Sequence, residues 1–130
     1  MRAAEAATET AAPREAKRRV LTKAVLRAAG ILAVSQQQLG RILGVSAPTV
    51  SRMGKGAYAL DPERKEWELA ALFVRMFRSL DSIVGGRDEA ARAWLKSRNE
   101  ALEAVPADLI TDVQGLVHVV QYLDAARGRI

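Results

Sequence analysis

The chain has no cysteine, which excludes disulfides, thiolate metal sites and cysteine nucleophiles. Its only histidine, His118, lies among Val117, Val119 and Val120, where a structural role is favoured over that of a base. Aromatic residues make up only 5% of the chain, so the core must be aliphatic. No apolar run approaches the ~20 residues that a membrane span needs. Met1 to Ala12 carry Glu5 and Glu9 and no apolar h-region, so no secretory signal is visible. A cytoplasmic protein with no membrane partner is the expectation. No phosphate-binding glycine loop is present and no carboxylate pair stands out, so neither an enzyme nor a cofactor or metal site is expected. The alternation that marks a β-strand is also missing, which points to an all-α fold.

What the chain does have is alanine and unevenly placed positive charge. Hydrophobic residues are 49% of its 130 positions, and alanine has the highest intrinsic helix propensity. The net charge of +5 is not spread evenly. Residues 1–60 hold ten Lys/Arg and three acids, a net of +7, whereas residues 61–130 hold ten and twelve, a net of −2. No acid occurs between Glu15 and Asp61, although Lys17, Arg18, Arg19, Lys23, Arg27, Arg41, Arg52 and Lys55 all fall in that stretch. Such a field suits a phosphate-binding surface, because neutralising phosphates releases condensed counterions. Solubility, or an acidic protein partner, would also account for it.

Three segments follow from the pattern. Residues 1–13 are rich in Ala, Thr and Glu, close on Pro13, and read as a disordered arm. Residues 14–60 open with a helix from Arg14, in which Val20, Leu21, Ala24, Val25 and Ala28 recur at helical spacing and Gly30 is the expected stop. Ser35 and Gln38 make a capping box for a helix over 36–43, which Gly44 ends. Ser46 caps a third helix over 47–53, with Pro48 in its first turn. Within residues 61–130 a longer helix is predicted from Asp61-Pro62 to Leu80. It is apolar on more than one face, as expected of a helix buried in a core or in a dimer, and Trp67, Val74 and Phe77 are its candidate dimer residues. Shorter helices follow over 88–96 and at Pro106, with a last one over 112–126.

The two short helices and their turn satisfy the steric demands of a helix-turn-helix. The first helix needs a small residue where the pair crosses, and Gly40 supplies it. The turn needs a glycine, Gly44. Leu39, Leu43, Val45, Val50 and Met53 seal the pair. The run from Val34 to Met53 also resembles the Xre/phage-repressor helix-turn-helix family. With the sealing residues inward, Ala47, Pro48, Ser51, Arg52 and Lys55 face outward, toward a DNA groove. Arg52 is the candidate for a bidentate guanine contact. Ala47 and Pro48 suit a thymine methyl. Gln36 and Gln37, at a helix N-terminus, suit a phosphate, or are solvated surface. Ser46 and Thr49 complete the candidate DNA-binding set. The alternative for Arg52 is a surface ion pair.

The second half resembles a known family. Its markers are Trp94-Leu95, Asn99, Ala101-Leu102, Pro106, Gly115-Leu116 and the stretch from Tyr122 to Arg129. In that order they look like the toxin-binding domain of the Xre/MbcA/ParS antitoxins. Together with the helix-turn-helix, the resemblance covers about residues 17–130. It implies a type II antitoxin that neutralises a RES-domain, NAD-consuming toxin by obstructing its active site. It also implies repression of the shared operon, with a homodimer inside a larger toxin–antitoxin complex. Candidate toxin contacts are Trp94, Asn99, Tyr122, Arg127, Gly128, Arg129 and Ile130. The Arg-Gly-Arg-Ile stretch suits a pocket for the anionic pyrophosphate of NAD, or simply places cations after a helix C-terminus. Trp94 and Leu95 also suit a core, and Asn99 a turn cap. The competing readings are a stand-alone repressor whose second half dimerises or binds a small ligand, and an interaction module without DNA binding.

Overall fold

Helices carry the fold. A computed structural model of the chain describes residues 2–128, with side chains described from Pro13 onward. The order is α1 (Arg2–Leu32), α2 (Gln36–Leu43), α3 (Ala47–Gly54), α4 (Lys65–Ile83), α5 (Asp88–Lys96), α6 (Pro106–Leu109) and α7 (Val113–Gly128). Among the described residues the only extended pairing is an isolated bridge between Asn99 and Ala104. The all-α expectation therefore holds.

α4 is packed most extensively by α7, then by α1 and α2, and lightly by α5. Its Ala70, Phe73, Met76 and Leu80 are fully buried. The two apolar faces read from the sequence are thus both used within one chain. Val74, a candidate dimer residue, is 6% exposed and belongs to this core, while Trp67 and Phe77 are half-buried against it. Asp124 of α7 accepts hydrogen bonds from Ser79 at 2.8 Å and pairs with Arg75, tying the two helices together by a polar contact as well. One core cluster joins Val25 of α1, Leu43 of α2 and Leu123 of α7.

Several boundaries differ from expectation, among them the ends of α4 at Ile83 and of α7 at Gly128. α1 begins at Arg2, so the segment read as a disordered arm is helical, and Pro13 lies inside the helix. Its alanines and glutamates are strong helix formers, and this preference prevails over the one hydrogen bond that proline removes. α1 also runs past Gly30 to Leu32. It stops at Ala33, whose φ of 54° is left-handed. Val34 N–H donates to the Ala29 carbonyl at 2.9 Å and Ala33 N–H to that of Gly30 at 3.2 Å, which is a Schellman ending without glycine. Arg92 and Lys96 of α5 donate to the Ile31 and Ala33 carbonyls at 2.9 and 3.2 Å, placing cations at this helix end. Finally, α4 starts at Lys65 rather than Asp61. The Asp61 carboxylate accepts the Glu63 N–H at 2.9 Å, and its carbonyl accepts the Arg64 N–H at 3.0 Å. These bonds hold a turn, not the first turn of a helix.

α6 and α7 meet at Gly115. Asp112 caps α7 by accepting the Gly115 N–H at 2.8 Å. A β-carbon at Gly115 would stand 1.8 Å from the Leu109 carbonyl oxygen, which is backbone and cannot swing away. Gly115→Ala is therefore expected to destabilise the chain by about 3 kcal/mol or more, as overpacking against backbone does. Urea unfolding checks this, and a loss under about 1 kcal/mol would contradict the close approach.

Candidate nucleic-acid interface and partner surface

α2 and α3 form the expected pair. Ser35 Oγ accepts the Gln38 N–H at 3.1 Å, and the Gln38 side chain accepts the Ser35 N–H at 3.1 Å, completing the capping box. Gly44 ends α2 with a φ of 74°, a left-handed conformation that glycine adopts without strain. A β-carbon at Gly40 would lie 2.7 Å from the Val45 carbonyl oxygen, so the crossing does require a very small residue there. Leu39, Leu43, Val50 and Met53 are buried, and Val45 is half-buried. Ser46 caps α3 by accepting the Thr49 N–H at 3.2 Å.

The outward face is close to that read from the sequence. Gln36, Gln37, Ser46, Pro48, Arg52 and Lys55 are exposed, while Ala47, Thr49 and Ser51 are half-buried. The Arg52 guanidinium donates to Thr49 Oγ1 at 2.9 Å, and that oxygen also lies 2.9 Å from Ser46 Oγ. A chain of hydroxyls thus steers the guanidinium along the outside of α3. Among the described residues, no carboxylate lies within 4.0 Å of Arg41, Arg52 or Lys55. An ion pair is therefore not what occupies Arg52, and its charge is available to a ligand.

The second half brings Trp94 and Tyr122 together. Their rings, one from α5 and one from α7, stack with centroids 6.3 Å apart and planes at 16°. Both are half-buried, so each packs on the core and also reaches the surface. Leu95, beside Trp94, is wholly buried. Asn99 caps a turn: its side-chain oxygen accepts the Leu102 N–H at 3.0 Å, and its backbone pairs with Ala104. Arg127 and Gly128 are exposed in the last turn of α7, and Arg129 and Ile130 lie outside the described residues. His118 is exposed on α7 rather than held within the core.

Comparison with known families now bears on this arrangement. The antitoxin Xre-like helix-turn-helix domain matches residues 11–75. The antitoxin Xre/MbcA/ParS C-terminal toxin-binding domain matches residues 79–129. The chain belongs to the Xre/MbcA/ParS antitoxin family. No curated protein matches its sequence. The two domains of the antitoxin meet between Arg75 and Ser79, inside α4, whereas the charge pattern changes near residue 60. The DNA-binding type of domain and the toxin-binding type of domain therefore share a helix. No helix of the antitoxin's described residues is long and apolar enough to cross a membrane.

Sequence reading missed the device that fixes the loop leaving α3. Glu66, 5% exposed at the start of α4, accepts from Tyr58 Oη at 2.7 Å and from the Asp61 N–H at 3.0 Å. From α1, the Arg18 guanidinium donates to the Ala59 and Leu60 carbonyls, each at 2.9 Å. Thr22 Oγ1 accepts the Leu60 N–H at 3.0 Å. The partners of Arg18 and Thr22 lie some forty residues on, so no local pattern announces them.

Burial, together with the Glu66 carboxylate that accepts its proton, pushes the Tyr58 hydroxyl up from 10.0 to about 12. The folded state therefore resists ionisation of this group. Its contribution to stability is complete below pH 10.0 and is lost as the pH rises toward about 12. Tyr58→Phe is expected to cost about 1 kcal/mol at neutral pH, the worth of one hydrogen bond. It should also flatten the alkaline decline in stability relative to the unaltered chain. Thermal melts of both proteins across that range check this, and parallel declines would show that Tyr58 stays solvated.

Proposed function

We propose that the antitoxin neutralises a RES-domain, NAD-consuming toxin and represses its own operon by reading operator DNA with α3. It acts by binding alone, without catalysis, in the cytoplasm. The single observation that carries the DNA reading is the state of Arg52: exposed, steered by Thr49 and free of any carboxylate among the described residues. A guanidinium presented in this way from a helix suits the O6 and N7 acceptors of guanine. Pro48 and Ala47 lie one turn earlier and suit a thymine methyl. Gln36 and Gln37 sit where the first N–H groups of α2 favour a phosphate.

On the other half, the half-buried Trp94–Tyr122 stack and the exposed Arg127 in the last turn of α7 support a partner surface. Arg127 and Arg129, with Gly128 and Ile130, are suited to a pocket that ordinarily takes an anionic pyrophosphate. Asn99 contributes by holding the turn beyond α5 in shape. The half-buried Trp67 and Phe77 are what α4 leaves for the homodimer proposed on a two-fold operator.

A stand-alone repressor remains a distinct reading and is separated by the partner. Removing residues 127–130 is expected to leave DNA binding intact and to release the toxicity of a co-expressed RES-domain toxin. A toxin that stays silent beside the shortened chain would remove the plug from the mechanism. Arg52→Ala is expected to weaken operator binding by about 1–3 kcal/mol and to relax selectivity at one base position. Gel shifts over a set of single-base operator variants check it, and unchanged affinity and selectivity would exclude Arg52 from the reading role.

A further inference from the structure

The helix-turn-helix does not account for all the positive charge in the acid-free stretch. Arg19, Lys23 and Arg27 of α1 are four residues apart and exposed, so they form one stripe, rising about 6 Å per step along the helix. Arg19 reaches Glu15 only at 4.0 Å, and its own side chain is 71% exposed. Lys23 and Arg27 have no carboxylate within 4.0 Å among the described residues. An ordinary solvated helix face mixes charges of both signs, whereas this row has one acid, Glu15, at its start and none beyond it as far as Arg27.

Its position gives the charge a direction. Glu15, Arg19 and Lys23 line a groove of about 350 Å³ whose opposite wall is Gly56, Ala57 and Tyr58. That wall is the loop that leaves α3, directly after the exposed Lys55. The groove is held open at a fixed width, because Arg18 and Thr22, on the inner side of α1, are bonded to Ala59 and Leu60 of the same loop. The stripe is therefore anchored to the end of the recognition helix rather than floating on a separate element. Between Pro13 and Leu32, α1 has no aromatic residue, and aromatic anchors are what a protein partner would use.

We propose that Arg19, Lys23 and Arg27 form a second phosphate-binding surface that holds the backbone of duplex DNA flanking the bases read by α3. The inference rests on the reading of α3 as the DNA-reading element. The stripe adds affinity and salt dependence without adding sequence selectivity, since phosphates carry no base identity.

The test uses the full chain and a labelled duplex of the DNA upstream of its own gene. The triple variant Arg19→Gln/Lys23→Gln/Arg27→Gln alters only exposed side chains, and its thermal melt confirms folding. The logarithm of its affinity is expected to fall less steeply with the logarithm of salt, by about 2 to 3 units of slope, with selectivity among single-base variants unchanged. A triple variant with an unaltered slope would overturn this inference while leaving α3 as the reader. An unaltered slope combined with lost retention of co-expressed toxin would assign the stripe to the protein partner instead. If the unaltered chain fails to bind the duplex while Arg52→Ala behaves identically, the reading of α3 falls, and this inference with it.

Discussion

Everything in this fold depends on α4 being packed by α1, α2 and α7 of the same chain. Of its 19 residues only the row Lys65, Glu68, Ala71, Arg75, Arg78 and Ser82 is exposed, and the rest of its surface is buried or half-buried. The helix-turn-helix and the second half contribute to one core cluster that α4 joins. The consequence reaches function, because the domain that binds nucleic acid and the domain that binds a protein are not beads on a linker. Arg75 and Asp124 join the last residue of the first family match to the heart of the second.

The polar contacts reinforce this shared core. Glu66 begins α4 and gathers Tyr58 and Asp61, while Arg18 and Thr22 hold Ala59 and Leu60. The loop between the two halves is thereby bound to both α1 and α4. At the other end of α1, Arg92 and Lys96 reach across from α5 to the carbonyls that precede the capping box of α2. Both ends of the α2–α3 pair are thus fixed by residues distant in sequence, and the outward face of α3 has a defined orientation relative to the Trp94–Tyr122 stack.

The local features were legible in the sequence, and the reason is range. Ser35 with Gln38, Gly44, Ser46 with Pro48, and the small residue at Gly40 all act within a few positions, so spacing alone predicts them. The end of α1 was misplaced because the obvious punctuation, Gly30, is overridden. Ala33 takes the left-handed position instead, held there by carbonyl partners that include Lys96, 63 residues away. The start of α4 moved for the same reason, since Asp61 spends its side chain on a turn that Glu66 braces. The two apolar faces of α4 were legible, but the periodicity is identical whether the second face meets α7 or another copy. Only the folded chain shows that Val74 is taken up internally.

The candidate site follows the same rule and adds one of its own. Burial patterns identify which α3 residues face outward, and this required nothing beyond the helical period. What charge does there depends on its neighbours in space. Arg18 was indistinguishable from Arg19 and Lys23 as a member of one basic run. In the fold Arg14 pairs with Glu63, and Arg18 is consumed by Glu15 and two carbonyls, so these cations hold structure. Lys23, Arg27, Arg41, Arg52 and Lys55 have no such partners among the described residues, and Arg19 has only its distant contact with Glu15. The net charge of the first half therefore overstates the field at its surface, and the part that survives folding lies on α1, α2 and the end of α3. A positive surface made of unpaired side chains around one steered guanidinium is what a backbone-binding, base-reading element needs. The paired cations tie α1 to the loop that leads into α4.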